Sequence, residues 1–150
     1  MGQAIGRGDE AGAERDMRYM LRLGWLVTGL IALGFAPLVP GVVGLYATEA
    51  EVARQTMILV WCNCAFLVVF PTTFILPNGL RGAGDARFAM LTTILGMLMF
   101  RILLGYVFGV LLGWGILGVW LGMFTDWLLR SALYWWRLTS GRWRGRRLTA

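Results

Sequence analysis

Four long apolar stretches dominate the pattern of hydrophobic and polar positions, at residues 19–38, 52–76, 88–111 and 116–136. A bilayer core about 30 Å thick needs about 20 helical residues, and each stretch is long enough. None alternates apolar and polar positions as the strands of a membrane barrel do. The pattern therefore predicts an all-α integral membrane protein with four transmembrane helices. It divides into a cytoplasmic loop or arm at 1–18, the four-helix transmembrane region at 19–138 and a basic cytoplasmic tail at 139–150.

Composition supports a membrane protein and removes most other classes. Hydrophobic residues make up 58% of the chain and charged residues 15%, with a mean hydropathy of +0.66. There is no histidine, and all 14 basic residues are arginine, so imidazole and lysine chemistry are absent. No intramembrane pair of carboxylates suggests catalysis either. We therefore expect no enzyme, no bound metal and no cofactor. The net charge of +6 comes without a nucleic-acid-binding motif, so we expect no nucleic-acid partner.

The arginines lie mainly on one side of the predicted membrane. Most fall in the N-terminal arm, in the loop at 80–87, or at the C-terminal end of the chain, whereas the opposite side holds Arg54 alone. Because positive residues are retained in the cytoplasm, both termini and this loop are predicted to be cytoplasmic. We expect a multi-pass protein of the bacterial inner (plasma) membrane, with the lipid bilayer as its first partner.

The second apolar stretch contains polar side chains and prolines. Pro71 and Pro77 interrupt helical hydrogen bonding, and Asn63, Thr72 and Asn78 lie nearby. In transporters, interrupted helices with polar neighbours often line the path of a substrate or ion. The three polar residues are therefore candidates for such a path. The alternative is a bend stabilised by neighbouring side chains.

Three charged residues lie within the last two stretches. Arg101 is a further path candidate, because an intramembrane charge should face protein or a wet cavity; alternatively it extends to the membrane interface. Asp126 and Arg130, four residues apart, share one helix face and are predicted to form an ion pair. We expect this pair near the cytoplasmic end, with a structural role favoured over proton transfer.

A loop motif formed by Leu80, Arg81, Gly82, Gly84 and Asp85 joins the second and third helices. The glycines permit a tight turn, and Asp85 is placed to cap the third helix. Arg81 could neutralise Asp85 or hold the loop at the membrane surface. An ordinary capped connection is the alternative to any special role.

Glycines recur at four-residue spacing on the last two helices and predict close helix packing. They are Gly105, Gly109 and Gly113 on the third helix, and Gly118 and Gly122 on the fourth.

Several runs together resemble one transporter family, in order and spacing. The runs are Gly2-Gln3-Ala4-Ile5-Gly6-x-Gly8-Asp9, Leu45-Tyr46, Leu80-Arg81-Gly82-Ala83-Gly84-Asp85, Arg101-Ile102-x-Leu104-Gly105-Tyr106, Gly118-Val119-Trp120-Leu121-Gly122, Asp126-Trp127-x-x-Arg130 and Gly141-Arg142-Trp143. They are similar to the C-terminal part of multidrug and toxic compound extrusion (MATE) transporters. The resemblance implies a twelve-helix antiporter of two six-helix lobes, which exports cationic or amphiphilic compounds in exchange for Na⁺ or H⁺.

On this resemblance the chain would be a fragment that supplies the last four helices, a partial second lobe. It would need the missing N-terminal lobe or an oligomer partner, and we expect it to be inactive alone. Phe70 stands where some members carry an acid in the tenth helix, and Leu103 stands where proline is frequent. Two alternatives stay open: a small four-helix membrane partner or assembly protein, and a related flippase for lipid-linked saccharides.

Overall fold

The computed structural model describes residues 1–46 and 49–144, which form helices without any strand. The α-helices are α1 (Gly2–Gly6), α2 (Glu10–Phe35), α3 (Val39–Tyr46), α4 (Ala50–Phe66), α5 (Phe70–Gly82), α6 (Ala86–Leu95) and α7 (Gly115–Thr139). A 3₁₀ turn at Ala36–Leu38 joins α2 to α3, and two π-helical segments, Gly96–Leu104 and Val107–Leu111, extend α6. The prediction of an all-α fold is confirmed.

Three continuous helical stretches are long and apolar enough to cross a membrane: Glu10–Tyr46, Ala86–Leu111 and Gly115–Thr139. A fourth crossing is available if the bent pair Ala50–Phe66 and Phe70–Gly82 acts as one span, with 48° between its two helices. The protein is therefore a multi-pass membrane protein of three to four spans, as its apolar stretches predict.

The first eighteen residues, which we predicted as a polar arm, are mostly helical. Asp9 is the N-cap of α2, and its Oδ1 accepts a hydrogen bond of 2.8 Å from the Gly12 N–H. This bond satisfies one of the free N–H groups at a helix start, so α2 begins nine residues before its apolar stretch. Ala13, Met17 and Leu21 follow at four-residue spacing and are buried. The polar segment thus contributes one apolar face to the interior.

The interruption predicted for the second stretch lies between α4 and α5. The Leu67 N–H still bonds to the Asn63 carbonyl at 2.9 Å, but Pro71 has no N–H with which to continue the ladder. Pro71 therefore lies in the first turn of α5, while Pro77 lies inside that helix. The position of the bend follows from the first proline.

The interior is concentrated at one end of the bundle, which we call the basic end: α1, the start of α2, the end of α5, the start of α6 and the end of α7. Helices α2 and α6 run away from this end, and the α4–α5 pair and α7 run back toward it. Its buried cluster consists of Ala4, Ala13, Met17, Leu21, Leu76, Leu80, Ala83, Tyr134, Leu138 and Trp143. The opposite end, called here the far end, consists of α3, the start of α4 and the turn before α7.

Close packing of α7 against the π-helical segments confirms the glycine prediction at four of five positions. A Cβ on Gly122 would stand 2.6 Å from the Gly105 nitrogen, and one on Gly118 would stand 2.4 Å from the Phe108 carbonyl. Gly109 is similarly crowded by Val119. Gly113 is the exception, because it has open space around it and a φ of +70° in the turn before α7.

Candidate functional site

The largest group of buried polar side chains forms a stripe along α7. Asp126, Arg130, Ser131, Tyr134 and Arg137 are spaced at intervals that return to one side of a helix. All are buried except Arg130, which is half-buried. Buried polar groups require partners. The stripe therefore determines which residues of α5 and α6 must face α7.

At the basic end, Arg137 of the stripe pairs with Asp85 at the start of α6. Its Nε donates to Asp85 Oδ2 over 2.7 Å, and the two side chains are 10% and 0% exposed. The Arg137 guanidinium also lies 4.6 Å from the centre of the Phe88 ring. This buried ion pair ties the α5–α6 turn to the last turns of α7.

Our expectation that Asp85 caps α6 is wrong, and of the two roles considered for Arg81 the structure excludes neutralisation of Asp85. Asp85 occupies the N-cap position of α6, but its side chain makes no capping hydrogen bond because its carboxylate is turned toward Arg137. Arg81 does not neutralise Asp85; it is exposed and donates to Asn78 Oδ1 over 3.3 Å. The tight turn itself is present, with Gly84 at a φ of +84° and the Asp85 N–H bonded to the Leu80 carbonyl.

Hydroxyl groups continue the stripe toward the middle of α7. Thr73 Oγ1 of α5 and Ser131 Oγ are 2.6 Å apart. The Tyr134 hydroxyl lies 2.9 Å from Thr93 Oγ1 of α6 and donates to the Ala89 carbonyl over 3.2 Å. Because these bonds join different helices, they fix the rotation of α7 relative to α5 and α6.

The remaining two members of the stripe pair with each other at mid-helix. Arg130 Nη2 donates to Asp126 Oδ2 over 2.5 Å, so the structure brings these residues together. The pair packs on Gly96, where a Cβ would stand 2.7 Å from Asp126 Oδ1. Asp126 lies near the midpoint of Gly115–Thr139, and Arg130 lies one turn closer to the basic end.

The four residues predicted to line a path lie in different surroundings. Asn63 is half-buried on α4, and Thr72 is buried on α5. Asn78 is exposed and bonds through its amide to the Phe74 carbonyl, at 2.9 Å. Arg101 is exposed on the first π-helical segment, where its Nη2 lies 3.0 Å from the Met123 sulfur. In the described part of the chain they form no common hydrogen-bonded group.

One of these candidates, Asn78, lines a cavity between the start of α2 and α5. The cavity holds about 520 Å³. Its walls combine a carboxylate, an amide, thioethers and an aromatic ring, from residues that include Asp16, Met17, Met20, Phe74 and Asn78. Such a mixture of flexible apolar and acidic groups suits an amphiphilic cation.

The interhelical partners Arg137, Tyr134, Thr73 and Ser131 were not predicted from the sequence. The available signal was the polar spacing on α7, which matches one helix face. That spacing identifies the stripe but cannot say which neighbouring helix supplies each partner. The last six residues of the predicted tail, 145–150, lie outside the described residues.

Comparison with known proteins places these observations in context. The family model MatE matches residues 1–107. The chain is 28% identical over 101 residues to "Uncharacterized transporter YisQ" of Bacillus subtilis (strain 168), which covers 67% of this chain and 22% of that protein. It is 28% identical over 141 residues to "Probable multidrug resistance protein NorM" of Rhodopseudomonas palustris (strain ATCC BAA-98 / CGA009), covering 91% of this chain and 30% of that protein. No solved structure gave a significant match.

The chain thus spans less than a third of the length of these two curated relatives. The match to the Rhodopseudomonas palustris protein covers 91% of this chain. The uncovered remainder is shorter than the 25 residues of α7. The similarity therefore includes part of the helix that carries the polar stripe.

Proposed function

The chain belongs to the MatE family, and on this premise we propose that it is part of an antiporter that exports cationic and amphiphilic compounds in exchange for Na⁺ or H⁺. The observation that carries the proposal is the similarity, over 91% of the chain, to a protein named as a probable multidrug resistance protein. The helices long enough to span a membrane are consistent with this role. A member of this family is a transporter rather than an enzyme.

We further propose that the chain supplies the last four helices of a two-lobe transporter and is inactive alone. Two observations support this division. The relatives are more than three times as long as the matched segment. Large apolar side chains also remain exposed along α2 and the π-helical segments, where other helices of a transporter could pack. The missing helices could belong to an N-terminal lobe or to an oligomer partner, in an inner-membrane protein with both termini cytoplasmic.

In this proposal the coupling ion is bound elsewhere in the transporter. The two buried carboxylates on the described helices, Asp85 and Asp126, are each engaged with an arginine. Binding of Na⁺ or H⁺ there would leave a buried arginine without its counter-charge, which is costly. Phe70 supplies no acid either. This chain instead contributes one wall of the substrate path, with Asn78 and its amphiphilic cavity as the candidate contact.

A chimeric transporter tests the proposal. The segment of the Rhodopseudomonas palustris relative that matches this chain is replaced by residues 1–150, and accumulation of ethidium is measured in cells lacking their own efflux pumps. We expect the chimera to lower accumulation and the 150-residue chain alone to leave it at the level of the empty vector. Export by the chain alone would overturn its inactivity. A chimera that reaches the membrane but exports nothing would contradict its place in the path.

Two amide substitutions in that chimera test the cavity. Asn78→Ala removes an amide that lines the cavity, and it should weaken export of cations while protein abundance is unchanged. Gln3→Ala removes an exposed amide on α1 and is the matched control. Equal export by both variants would remove Asn78 from the path without affecting the family assignment.

A further inference from the structure

A second cavity, of about 390 Å³, lies at the basic end between the start of α2 and the segment that follows α7. Four of its lining residues are arginines, and a single carboxylate accompanies them. The polar and aromatic lining is Glu14, Arg15, Arg18, Tyr19, Arg22 and Arg144. The excess of positive charge in one concave site is suited to an anion.

The single carboxylate is already occupied by two of the arginines. Glu14 accepts from Arg18 at 2.5 Å and also pairs with Arg144, which comes from the other end of the chain. Arg15 and Arg22 pair with no carboxylate among the described residues. Their guanidinium groups are exposed and available to a ligand. Glu14 thus organises the cavity, and two cations remain for an anion.

Buried contacts fix the C-terminal wall of this cavity. Trp143 is only 1% exposed, and its indole N–H donates to the Leu138 carbonyl at 3.0 Å. Gly141 reverses the chain direction with a φ of +66°. Arg144 directly follows the buried Trp143, so its position next to Glu14 results from a packed turn.

The cavity lies where the polar part of α2 becomes apolar. Arg22 is followed by the apolar residues 23–27, and the side chain of Leu26 is exposed. Tyr19 is exposed beside the cavity, and the rings of Trp25 and Trp135 pack together one turn further along, with centres 6.1 Å apart. Because tyrosine and tryptophan are enriched at the headgroup level of a membrane, we expect the cavity to lie at that depth.

We propose that this cavity binds the phosphate-bearing headgroup of an anionic phospholipid. Arg15 and Arg22 contact the phosphate, and the acyl chains lie along the exposed apolar side of α2 beyond Arg22. Basic clusters next to a membrane span attract anionic lipids in this way. Charge complementarity together with the adjoining apolar surface favours a lipid over a soluble anion.

Native mass spectrometry of the chain in detergent micelles tests this site, with phosphatidylglycerol as the probe and phosphatidylcholine as the zwitterionic comparison. We expect preferential binding of phosphatidylglycerol. The double substitution Arg15→Gln/Arg22→Gln should weaken it by about thirtyfold, because two charges at the membrane surface are lost. Both side chains are exposed, so the variant should keep its helical circular dichroism.

The matched control is Arg7→Gln/Arg87→Gln, which removes the same charge from two exposed arginines that do not line the cavity. Phosphatidylglycerol binding should change little in this variant. An equal loss in both double variants would overturn the site, because only overall charge would matter. Displacement of the lipid by millimolar inorganic phosphate would overturn the lipid in favour of a soluble phosphate ligand.

Discussion

The basic end and the far end of the bundle differ in how their side chains are covered. At the basic end Leu80 and Trp143 are at most 1% exposed, and even charged residues are buried in pairs. At the far end Leu45 and Tyr46 are 83% and 85% exposed. In water the second arrangement would be unstable, but lipid tails are as apolar as leucine. Specific packing thus holds the basic end, whereas the far end buries Val39 and Val43 but leaves its larger apolar side chains to lipid or other helices.

Glycines along the first span show where the contrast begins. Gly24 of α2 is so close to α5 that a Cβ there would stand 2.9 Å from Pro71. Gly29, Gly34, Gly41 and Gly44 all have open space around them. Around these four glycines the first span is loosely packed, although Val39 and Val43 of α3 are buried. Helix α7 does not follow this trend, since its glycines remain in contact with the π-helical segments up to Gly118.

Removing the charge partner of Arg137 should have the largest effect on the basic end. Asp85→Ala leaves a buried guanidinium without its carboxylate, which typically costs about 3–5 kcal/mol. We expect the basic end to unfold at a much lower denaturant concentration, measured by circular dichroism during titration of micelles with sodium dodecyl sulfate. Glu51→Gln is the matched control, because the Glu51–Arg54 pair on α4 is exposed. It should leave the transition unchanged.

A double substitution separates charge from packing at the same place. Asp85→Leu/Arg137→Met removes both charges, so it should recover most of the stability that Asp85→Ala loses. If the double variant is as unstable as the single one, the pair contributes through its shape and its bonds to the turn. If Asp85→Ala itself is harmless, the ion pair does not hold the basic end.

A smaller effect is expected where α7 packs against the π-helical segments. Gly122→Ala places a Cβ against the Gly105 backbone, and backbone atoms cannot move aside cheaply. We expect a loss of about 1–3 kcal/mol in the same titration. Gly29→Ala is the control, since it lies in a helix with open space and should gain up to about 1 kcal/mol from helix propensity. Losses of equal size would show that α7 packs no more tightly than the first span.

The sequence predicts much of this fold because membrane helices leave a strong local signal. Apolar length predicts the spans, Pro71 predicts the bend, and glycine spacing predicts the contact between α7 and the π-helical segments. Helix boundaries are less accessible: the N-terminal arm looks polar, yet the cap at Asp9 and one apolar face extend α2 into it. Local sequence patterns do not show which face of one helix will pack against a given face of its neighbour.

The candidate site depends on that missing information. The sequence places Asp85 where it could cap α6. Its carboxylate points instead toward Arg137, which lies 52 residues later in the chain. Likewise the spacing of Asp126 and Arg130 predicts their pairing, whereas their depth follows from where α7 begins and ends. The ion pair within α7 and the glycine-lined helix contact could be predicted, whereas the specific side-chain bonds between helices could not.

The hydroxyl contact between α5 and α7 offers the smallest effect and the finest test of the comparison. Thr73→Val keeps the shape of the side chain but removes its bonds to Ser131 and to the Trp127 carbonyl. Such interhelical bonds in membranes contribute about 0.6 kcal/mol on average, so we expect a loss of about 0.5–1.5 kcal/mol. In Thr139→Val, the control, the lost hydroxyl bonds only to carbonyls of its own helix. A double-mutant cycle of Thr73→Val with Ser131→Ala should show coupling, because removing either hydroxyl already breaks the bond between them. Independent effects would mean that apolar contact alone joins α5 to α7, and the polar stripe would then distinguish the two ends only through its ion pairs.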